Sequence, residues 1–210
     1  MALGLDFAWG HPTIAQMKGA GVMFVIRYLN SADVDTNAND GKEITEAEAK
    51  SLSAAGLDIV LVWETRAARA GEGKAAGVAD AKAAKAAMKD LNVPAGKPVY
   101  FAVDYDTAGP AVRPYFEGVI SVMGLKQVGV YGGYRAIKYI ATNHLATYLW
   151  QTLAWSAGKW FASNHLEQYK VEVSFHGHDV DYNRSKKADF GQWNYRKPPA
   201  PYKWSGKAPS

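Results

Sequence analysis

The sequence predicts an α/β protein, a single-domain (β/α)₈ TIM-like barrel. Apolar runs of strand length alternate with helix-like stretches along the 210 residues. These runs are continuously apolar, which is typical of a parallel sheet covered by helices. Seven or eight such units favour a closed barrel over an open sheet. Neither a Gly-rich dinucleotide fingerprint nor a phosphate-binding Gly-x-x-x-x-Gly-Lys occurs.

The strand-like and helix-like segments follow one another in a regular order. The expected strands cover residues 3–8, 22–29, 57–63, 98–106, 127–131, 148–155, 166–169 and 178–182. The expected helices cover residues 12–19, 45–56, 73–92, 112–123 and 134–145. Thr45 and Glu48 have the spacing of a capping box, and Pro94 ends the helix rich in Ala and Lys. We expect an irregular crossover between the last two strands.

Composition narrows the domain organisation and the class of protein. Residues 1–195 are expected to form the barrel, and residues 196–210, rich in Pro, Lys and Ser, a linker or tail. With 48% hydrophobic and 21% charged residues, a disordered chain is excluded. No apolar run is long enough to cross a bilayer, so no membrane insertion is expected, and no signal peptide is visible at the start. The absence of cysteine excludes disulfides, zinc thiolate sites and cysteine nucleophiles.

The net charge of +4 suits an anionic partner such as a cell wall, but the basic residues are scattered along the chain. We therefore expect no nucleic-acid partner, and we expect a monomer. The seven Trp and twelve Tyr residues are compatible with a carbohydrate groove as well as with core packing.

Acidic residues fall where the predicted strands end. In a (β/α)₈ barrel the chemistry lies at the carboxyl ends of the strands. The acids at these ends are Asp6, Glu64, Asp104, Asp106, Asp179 and Asp181. A spacing of two residues places Asp104 and Asp106 on one strand face, with α-carbons about 6.5 Å apart. Because strand eight closes against strand one, Asp181 is expected beside Asp6.

Such a convergence of carboxylates has a chemical use. Close like charges raise the pKa of at least one carboxyl group and keep it protonated near neutral pH. A protonated acid beside an ionised one is what glycoside hydrolysis requires. The structural alternative is that these acids cap helices or pair with basic residues such as Arg27, Arg135 and Lys138.

Four segments carry a resemblance to a known family. They are residues 4–8 (GLDFA), 100–106 (YFAVDYD), 129–134 (GVYGGY) and 180–183 (VDYN). In this order, over about residues 3–193, they resemble the glycoside-hydrolase-like family related to the glycoside hydrolase family 25 lysozymes, which cleave bacterial peptidoglycan. Such domains occur in actinobacterial secreted proteins and in phage endolysins. The resemblance implies a lysozyme-like endolysin domain that needs no cofactor, binds peptidoglycan and acts at the cell wall, after phage lysis or after secretion.

The resemblance also implies roles for four acids. In the lysozyme relatives an Asp-x-Glu pair ends strand four, and its Glu is the general acid. The aligned pair here is Asp104 and Asp106, so Asp106 would donate the proton. Asp104 would orient the substrate's N-acetyl group as it attacks the anomeric carbon. Asp6 and Asp181 match the other two acids of the pocket. This chain departs from the lysozyme pattern because Asp106 is one methylene shorter than Glu.

Other residues at the predicted strand ends are candidates for sugar binding. Tyr131 and Trp155 would stack on sugar rings, and Gln168 would hydrogen-bond hydroxyl groups. Arg27 would bind a substrate carboxylate or neutralise the acids. The full set of substrate-binding candidates is Glu64, Arg27, Tyr131, Trp155, Gln168 and Asp179.

Two alternatives to a peptidoglycan hydrolase stay open at this stage. The same pocket would bind an amino-sugar glycan without cutting it if Asp106 is too short to act. A barrel metallohydrolase would use His176 and His178, which stand two apart on a strand. We expect no metal site, since this pair comes late in the chain, whereas barrel metallohydrolases carry theirs on the first strand. A serine hydrolase is not indicated, because no Gly-x-Ser-x-Gly elbow occurs.

Overall fold

The computed structural model describes residues 1–29 and 41–195. They form one closed barrel of eight strands in sequence order. The strands are β1 (Leu3–Asp6), β2 (Val22–Tyr28), β3 (Asp58–Trp63), β4 (Val99–Val103), β5 (Val128–Gly132), β6 (Tyr148–Thr152), β7 (Leu166–Phe175) and β8 (His178–Ser185). The helices are α1 (Ile14–Gly19), α2 (Glu46–Ala55), α3 (Lys74–Asp90), α4 (Arg113–Met123) and α5 (Tyr134–Thr142). The predicted barrel is confirmed.

Local signals account for the helix boundaries. The Thr45 side chain accepts a hydrogen bond from the backbone N–H of Glu48 at 3.1 Å, which satisfies one free donor at the start of α2. α2 ends at Gly56, whose φ of 85° is the left-handed conformation that glycine adopts without steric cost. The tail predicted for residues 196–210 lies outside the described residues.

The last strand reverses the direction of the sheet. β1 to β7 pair in parallel, whereas β8 is antiparallel to both β7 and β1. The predicted irregular crossover is wrong: β7 and β8 form a hairpin closed by His176 and Gly177, with φ of 52° and 84°. Two positive φ angles in a two-residue loop match the twist of a hairpin. The prediction that every strand of the sheet is parallel is therefore wrong for β8.

Two apolar layers hold the barrel. Most of the buried residues lie between the strands and the helices. A smaller cluster fills the barrel interior, where Phe24 packs on Phe190 with ring centroids 4.7 Å apart. The Tyr100 hydroxyl donates to the backbone carbonyl of Phe190 at 2.8 Å, so the segment after β8 closes the floor. Gly4 is required here, since a Cβ would lie 2.3 Å from the Phe24 ring.

Candidate active site

A cavity of about 200 Å³ opens at the carboxyl ends of the parallel strands. It lies above the apolar filling of the barrel, in the position where barrel enzymes carry their chemistry. Its lining is mostly polar and includes four carboxylates. The lining residues are Asp6, Tyr28, Val62, Glu64, Ala102, Asp104, Tyr131, Trp150, Gln168 and Asp181.

Asp6 and Asp181 meet where the barrel closes. They are direct partners in the antiparallel pairing of β1 and β8. The sequence predicts this adjacency, but it assumes that Asp181 ends a parallel strand. In the structure Asp181 stands early in a reversed strand, and this reversal brings it to the same rim as the ends of the parallel strands.

Asp6 is a buried carboxyl group held by two amides. Asn183 Nδ2 donates to its Oδ2 at 2.5 Å, and Gln168 Nε2 donates to the same oxygen at 3.1 Å. Burial raises the pKa of Asp6 well above its ordinary value, and the negative charge of Asp181 adds to this rise. The two amide hydrogen bonds act in the opposite direction.

Aromatic donors orient both amides. The Tyr131 hydroxyl donates to Gln168 Oε1 at 3.0 Å, and Trp150 Nε1 donates to Asn183 Oδ1 at 2.8 Å. Because each amide oxygen is occupied in this way, each amide nitrogen faces Asp6. The cavity wall is therefore a connected hydrogen-bond network, and such networks hold one geometry when every member is satisfied.

Asp181 is half-buried and bridges two donors. Its Oδ2 accepts from Gln168 Nε2 at 2.7 Å, and its Oδ1 accepts from the backbone N–H of Glu172 at 2.7 Å. Burial raises the pKa of Asp181, and the nearby negative charge of Glu172 raises it further, against the lowering effect of the backbone hydrogen bond. The φ of 53° at Glu172 belongs to the irregular part of β7 that presents this N–H.

Asp104 follows β4 directly and lines the cavity. Burial raises the pKa of Asp104 to about 6, with further rises from the charges of Glu64 and Asp181 and an opposing effect from Lys42. A carboxyl group with this pKa is protonated in mildly acidic solution and can act as a general acid.

The expected common face of Asp104 and Asp106 is wrong. β4 ends at Val103, so the alternation of side chains does not continue to Asp106. The Asp106 side chain is 55% exposed and forms an ion pair with Arg135 at 2.8 Å. Asp106 is not among the residues that line the cavity. The structure therefore separates the two acids, and only Asp104 reaches the cavity.

The remaining candidates divide into two groups. Glu64, Tyr131 and Gln168 line the cavity as expected. Asp179 lies instead in an adjoining groove of about 510 Å³, which shares Asp6, Tyr28 and Asp181 with the cavity. Trp155 lines neither space; it follows β6, is 40% exposed and has a left-handed φ of 54°.

Arg27 also lies outside the cavity, contrary to expectation. On β2 the interior residues are Phe24, Ile26 and Tyr28, so Arg27 faces the helix layer. It is fully buried there, and its Nε donates to Glu48 Oε1 on α2 at 2.7 Å. Arg27 therefore neutralises a helix carboxylate and not the acids of the cavity.

The structure shows no metal-binding cluster and no membrane helix in the part of the chain that it describes. No group of three or more His, Cys, Asp or Glu side chains is placed to hold a metal in residues 1–29 and 41–195. His176 lies in the hairpin turn, with its ring centroid 4.7 Å from that of Phe175. Among the described helices, none combines the length and apolarity needed to cross a bilayer.

Comparison with known families agrees with this geometry. The model of the Rv2525c-like, glycoside hydrolase-like domain matches residues 15–185. The chain belongs to this family. The family match confirms the predicted resemblance, with three of the four sequence segments inside the matched residues, and it supports a hydrolase that acts on glycans.

Relatives and solved structures extend the comparison. Rv2525c of Mycobacterium tuberculosis, described as a candidate peptidoglycan hydrolase, is 29% identical over 90% of this chain and 82% of its own. The crystal structure of this Tat-secreted protein with L-tartrate superposes with a TM-score of 0.84 over 91% of this chain and 98% of the other. A glycosyl hydrolase 25 of Streptococcus pneumoniae, at 16% identity, has a TM-score of 0.59 over 88% of this chain and 87% of its own. This last likeness shows a shared fold.

Three residues of this glycoside hydrolase-like site were not predicted from the sequence as site residues. They are Tyr28, Lys42 and Asn183. Asn183 stands inside the segment VDYN, so a signal for it was present. Tyr28 is two residues beyond Ile26 on the interior face of β2, where alternation alone could have placed it. Lys42 belongs to no motif.

Proposed function

We propose that the chain hydrolyses the β-1,4-glycosidic bond of bacterial peptidoglycan, with Asp104 as the proton donor. The observation that carries this proposal is the position of Asp104: a carboxyl group with a pKa of about 6 inside a cavity lined by three other carboxylates. Membership of a glycoside hydrolase-like family supports the reaction type. The description of Rv2525c as a candidate peptidoglycan hydrolase supports the substrate.

The proposed reaction uses two carboxyl groups. Protonated Asp104 gives its proton to the glycosidic oxygen as the bond from that oxygen to the anomeric carbon breaks. The carbonyl oxygen of the substrate's N-acetyl group attacks the anomeric carbon, and Asp181 stabilises the positive charge that forms on this group. Water then opens the cyclic intermediate, and Asp104 takes the proton from that water.

Asp6 is assigned a structural role beside the two reacting carboxyl groups. It is 4% exposed and hydrogen-bonded to two amides, so it is less accessible to a sugar than Asp181. We assign it to holding Gln168 and Asn183 in place. Tyr131 provides the aromatic surface on which a sugar ring packs, Trp150 is 2% exposed and holds Asn183, and Glu64 binds a sugar hydroxyl.

The proposed place of action is a bacterial cell wall. Rv2525c is described as Tat-secreted, which supports an enzyme that reaches peptidoglycan from outside the cytoplasm. A phage endolysin domain, working as a monomer, is a second setting that gives access to the same glycan. Both settings require the same chemistry at Asp104.

A matched pair of variants tests the assignment. Asp104→Asn removes the proton donor, and Asp106→Asn removes an equal charge from the exposed ion pair with Arg135. Reducing ends released from purified peptidoglycan are measured, and the products are identified by mass. We expect Asp104→Asn to lower the rate by about 10²–10⁴-fold and Asp106→Asn to leave it within about twofold. Loss of activity in Asp106→Asn alone would return the donor role to Asp106.

A glycan-binding domain without hydrolysis is the second candidate. The observation that favours it is the exposure of Asp106, because the position aligned with the lysozyme general acid has no carboxyl group in the cavity. In that case the wild-type protein is retained on peptidoglycan and releases no reducing ends. Muramic-acid reducing ends from the wild type would exclude it.

A further inference from the structure

Lys42 is a buried cation at the edge of the cavity. Its side chain is 6% exposed, and its Nζ donates to Glu64 Oε2 at 3.0 Å and to the backbone carbonyl of Glu64 at 3.1 Å. A lysine is rarely buried without partners that compensate its charge. Here both hydrogen bonds go to Glu64, which lines the cavity.

Two aromatic rings also lie against Lys42. Its Nζ lies 4.3 Å from the ring centroid of Tyr28 and 5.9 Å from that of Trp9. Both distances are within the range of a cation–π interaction. Tyr28 lines the cavity, so Lys42 packs directly against two wall residues while lying outside the lining itself.

Glu64 and Lys42 have opposite effects on Asp104. The negative charge of Glu64 favours the protonated form of Asp104, and the positive charge of Lys42 favours its ionised form. The other titratable groups that face this part of the cavity come from several strands. They are Asp6 on β1, Tyr28 on β2, Tyr131 on β5 and Asp181 on β8. Among the groups that act on Asp104, Lys42 contributes a positive charge.

We propose that Lys42 is a positioning residue that holds Glu64 against the cavity wall and balances its charge next to the proton donor Asp104. This inference rests on the proposed function, in which Asp104 is the donor. The double contact to the carboxylate and to the backbone carbonyl of Glu64 fixes both the side chain and the strand end. The balance of the two charges then sets the pH range in which Asp104 keeps its proton.

The test compares Lys42→Met, Lys42→Arg and the control Lys50→Met. Lys50 forms an exposed ion pair with Glu46 at 3.0 Å, so its replacement removes the same charge far from the cavity. The titration midpoint of the Asp104 carboxyl carbon is followed by NMR. We expect the midpoint to rise by about 0.5–1 pH unit in Lys42→Met and to stay unchanged in Lys42→Arg and Lys50→Met.

The NMR titration separates this inference from the proposed function. If the wild type releases no reducing ends, the proposed function fails, and the midpoint of Asp104 still reports on Lys42. If the wild type is active, the alkaline limb of its pH–rate profile is expected to move with the midpoint in Lys42→Met. A lower melting temperature alone, with an unchanged midpoint, would overturn the inference, because a merely structural role predicts it.

A second variant covers the case in which Lys42→Met does not fold. Glu64→Gln removes the negative member of the pair and keeps the size of the side chain. We expect the midpoint of Asp104 to fall in this variant, since its neighbouring negative charge is gone. An unchanged midpoint in Glu64→Gln would overturn the inference as well.

Discussion

Asp6 and Asp181 face each other across the seam where β1 and β8 close the barrel, and Gln168 Nε2 donates to both carboxylates. The shared donor keeps the two acids together although Asp6 is buried and Asp181 is half-buried. Burial raises the pKa of Asp6 well above its ordinary value, and the negative charge of Asp181 adds to this rise. The pairing of β1 with β8 therefore places two of the four carboxylates side by side in the cavity wall.

The first prediction concerns the shared donor. Gln168→Met removes hydrogen bonds that stabilise the ionised forms of Asp6 and Asp181. The loss in the free energy of unfolding is therefore expected to be larger at pH 8 than at pH 3, where both carboxyl groups are protonated. A loss of about 1–3 kcal/mol is expected at pH 8. Urea unfolding at the two pH values measures it.

The control for this prediction is Gln127→Met. Gln127 donates to the backbone carbonyl of Lys97 at 3.4 Å, away from any carboxylate of the cavity. Its loss in stability is expected to be the same at both pH values. An equal loss at pH 3 and pH 8 in Gln168→Met would show that its amide does not act on the acids.

The second prediction is the pH dependence of hydrolysis. The proton donor works only in its protonated form, and the pKa of Asp104 is raised to about 6. We therefore expect the rate to fall as the pH rises through about 6. Initial rates on a soluble peptidoglycan fragment between pH 4 and pH 8 provide the measurement. A rate that stays level up to pH 8 would be incompatible with Asp104 as the donor.

The third prediction links Asp104 to stability. A carboxyl group whose pKa is raised in the folded state destabilises the fold at every pH above its unfolded pKa. Asp104→Asn removes this cost, so the variant is expected to be more stable than the wild type at pH 8, by about 1–2 kcal/mol after solvent screening. The gain is expected to vanish at pH 3, where the carboxyl is protonated in both states.

Thermal unfolding at pH 3 and pH 8 checks this difference. Asp106→Asn is the matched control, because the Asp106 side chain is exposed at 55% and its pairing with Arg135 is a surface ion pair. A surface pair contributes little to stability. If Asp104→Asn lowers stability at pH 8, the carboxylate makes favourable contacts that outweigh its burial.

The fourth prediction separates Arg27 from substrate binding. Arg27→Met leaves Glu48 without its buried guanidinium partner, and breaking such a pair is expected to cost about 3 kcal/mol or more. Because Arg27 faces α2 and not the cavity, the KM for peptidoglycan fragments is expected to stay unchanged in the folded variant. Chemical denaturation and initial rates measure the two effects.

Arg66→Met is the control for Arg27. Arg66 pairs with Glu72 at 2.6 Å, but both side chains are exposed. The expected change in the free energy of unfolding is below about 1 kcal/mol. A large increase in KM for Arg27→Met, without loss of stability, would restore the substrate-binding role expected from the sequence.

The barrel could be predicted from the sequence because its strands are continuous apolar runs bounded by helix caps and glycines. The residue at which β4 ends could not be predicted in this way. After the apolar residues of the run YFAVDYD, Asp104, Tyr105 and Asp106 alternate as in a strand, but β4 ends at Val103. Where pairing stops, alternation no longer determines the direction of a side chain.

The direction of β8 could not be predicted either. Alternation has the same period whether a strand is read parallel or antiparallel to its neighbour. Asp181 therefore lies at the predicted rim of the barrel because β8 is reversed, and not because a parallel strand ends there. Lys42 carried no signal at all, because its role depends on Glu64 and Tyr28, which are distant in sequence and come together only in the folded barrel.

The reversed strand also determines how the protein can be attached to a surface. Because β8 runs against β1, Ser185 returns to Ala2, where its backbone N–H donates to the Ala2 carbonyl at 3.0 Å. The segment that follows crosses the closed floor, and Trp193 pairs with Ile59 at the start of β3. A tether at Met1 or at Tyr195 therefore holds the barrel by its closed pole. A form immobilised at this pole keeps the mouth of the cavity exposed.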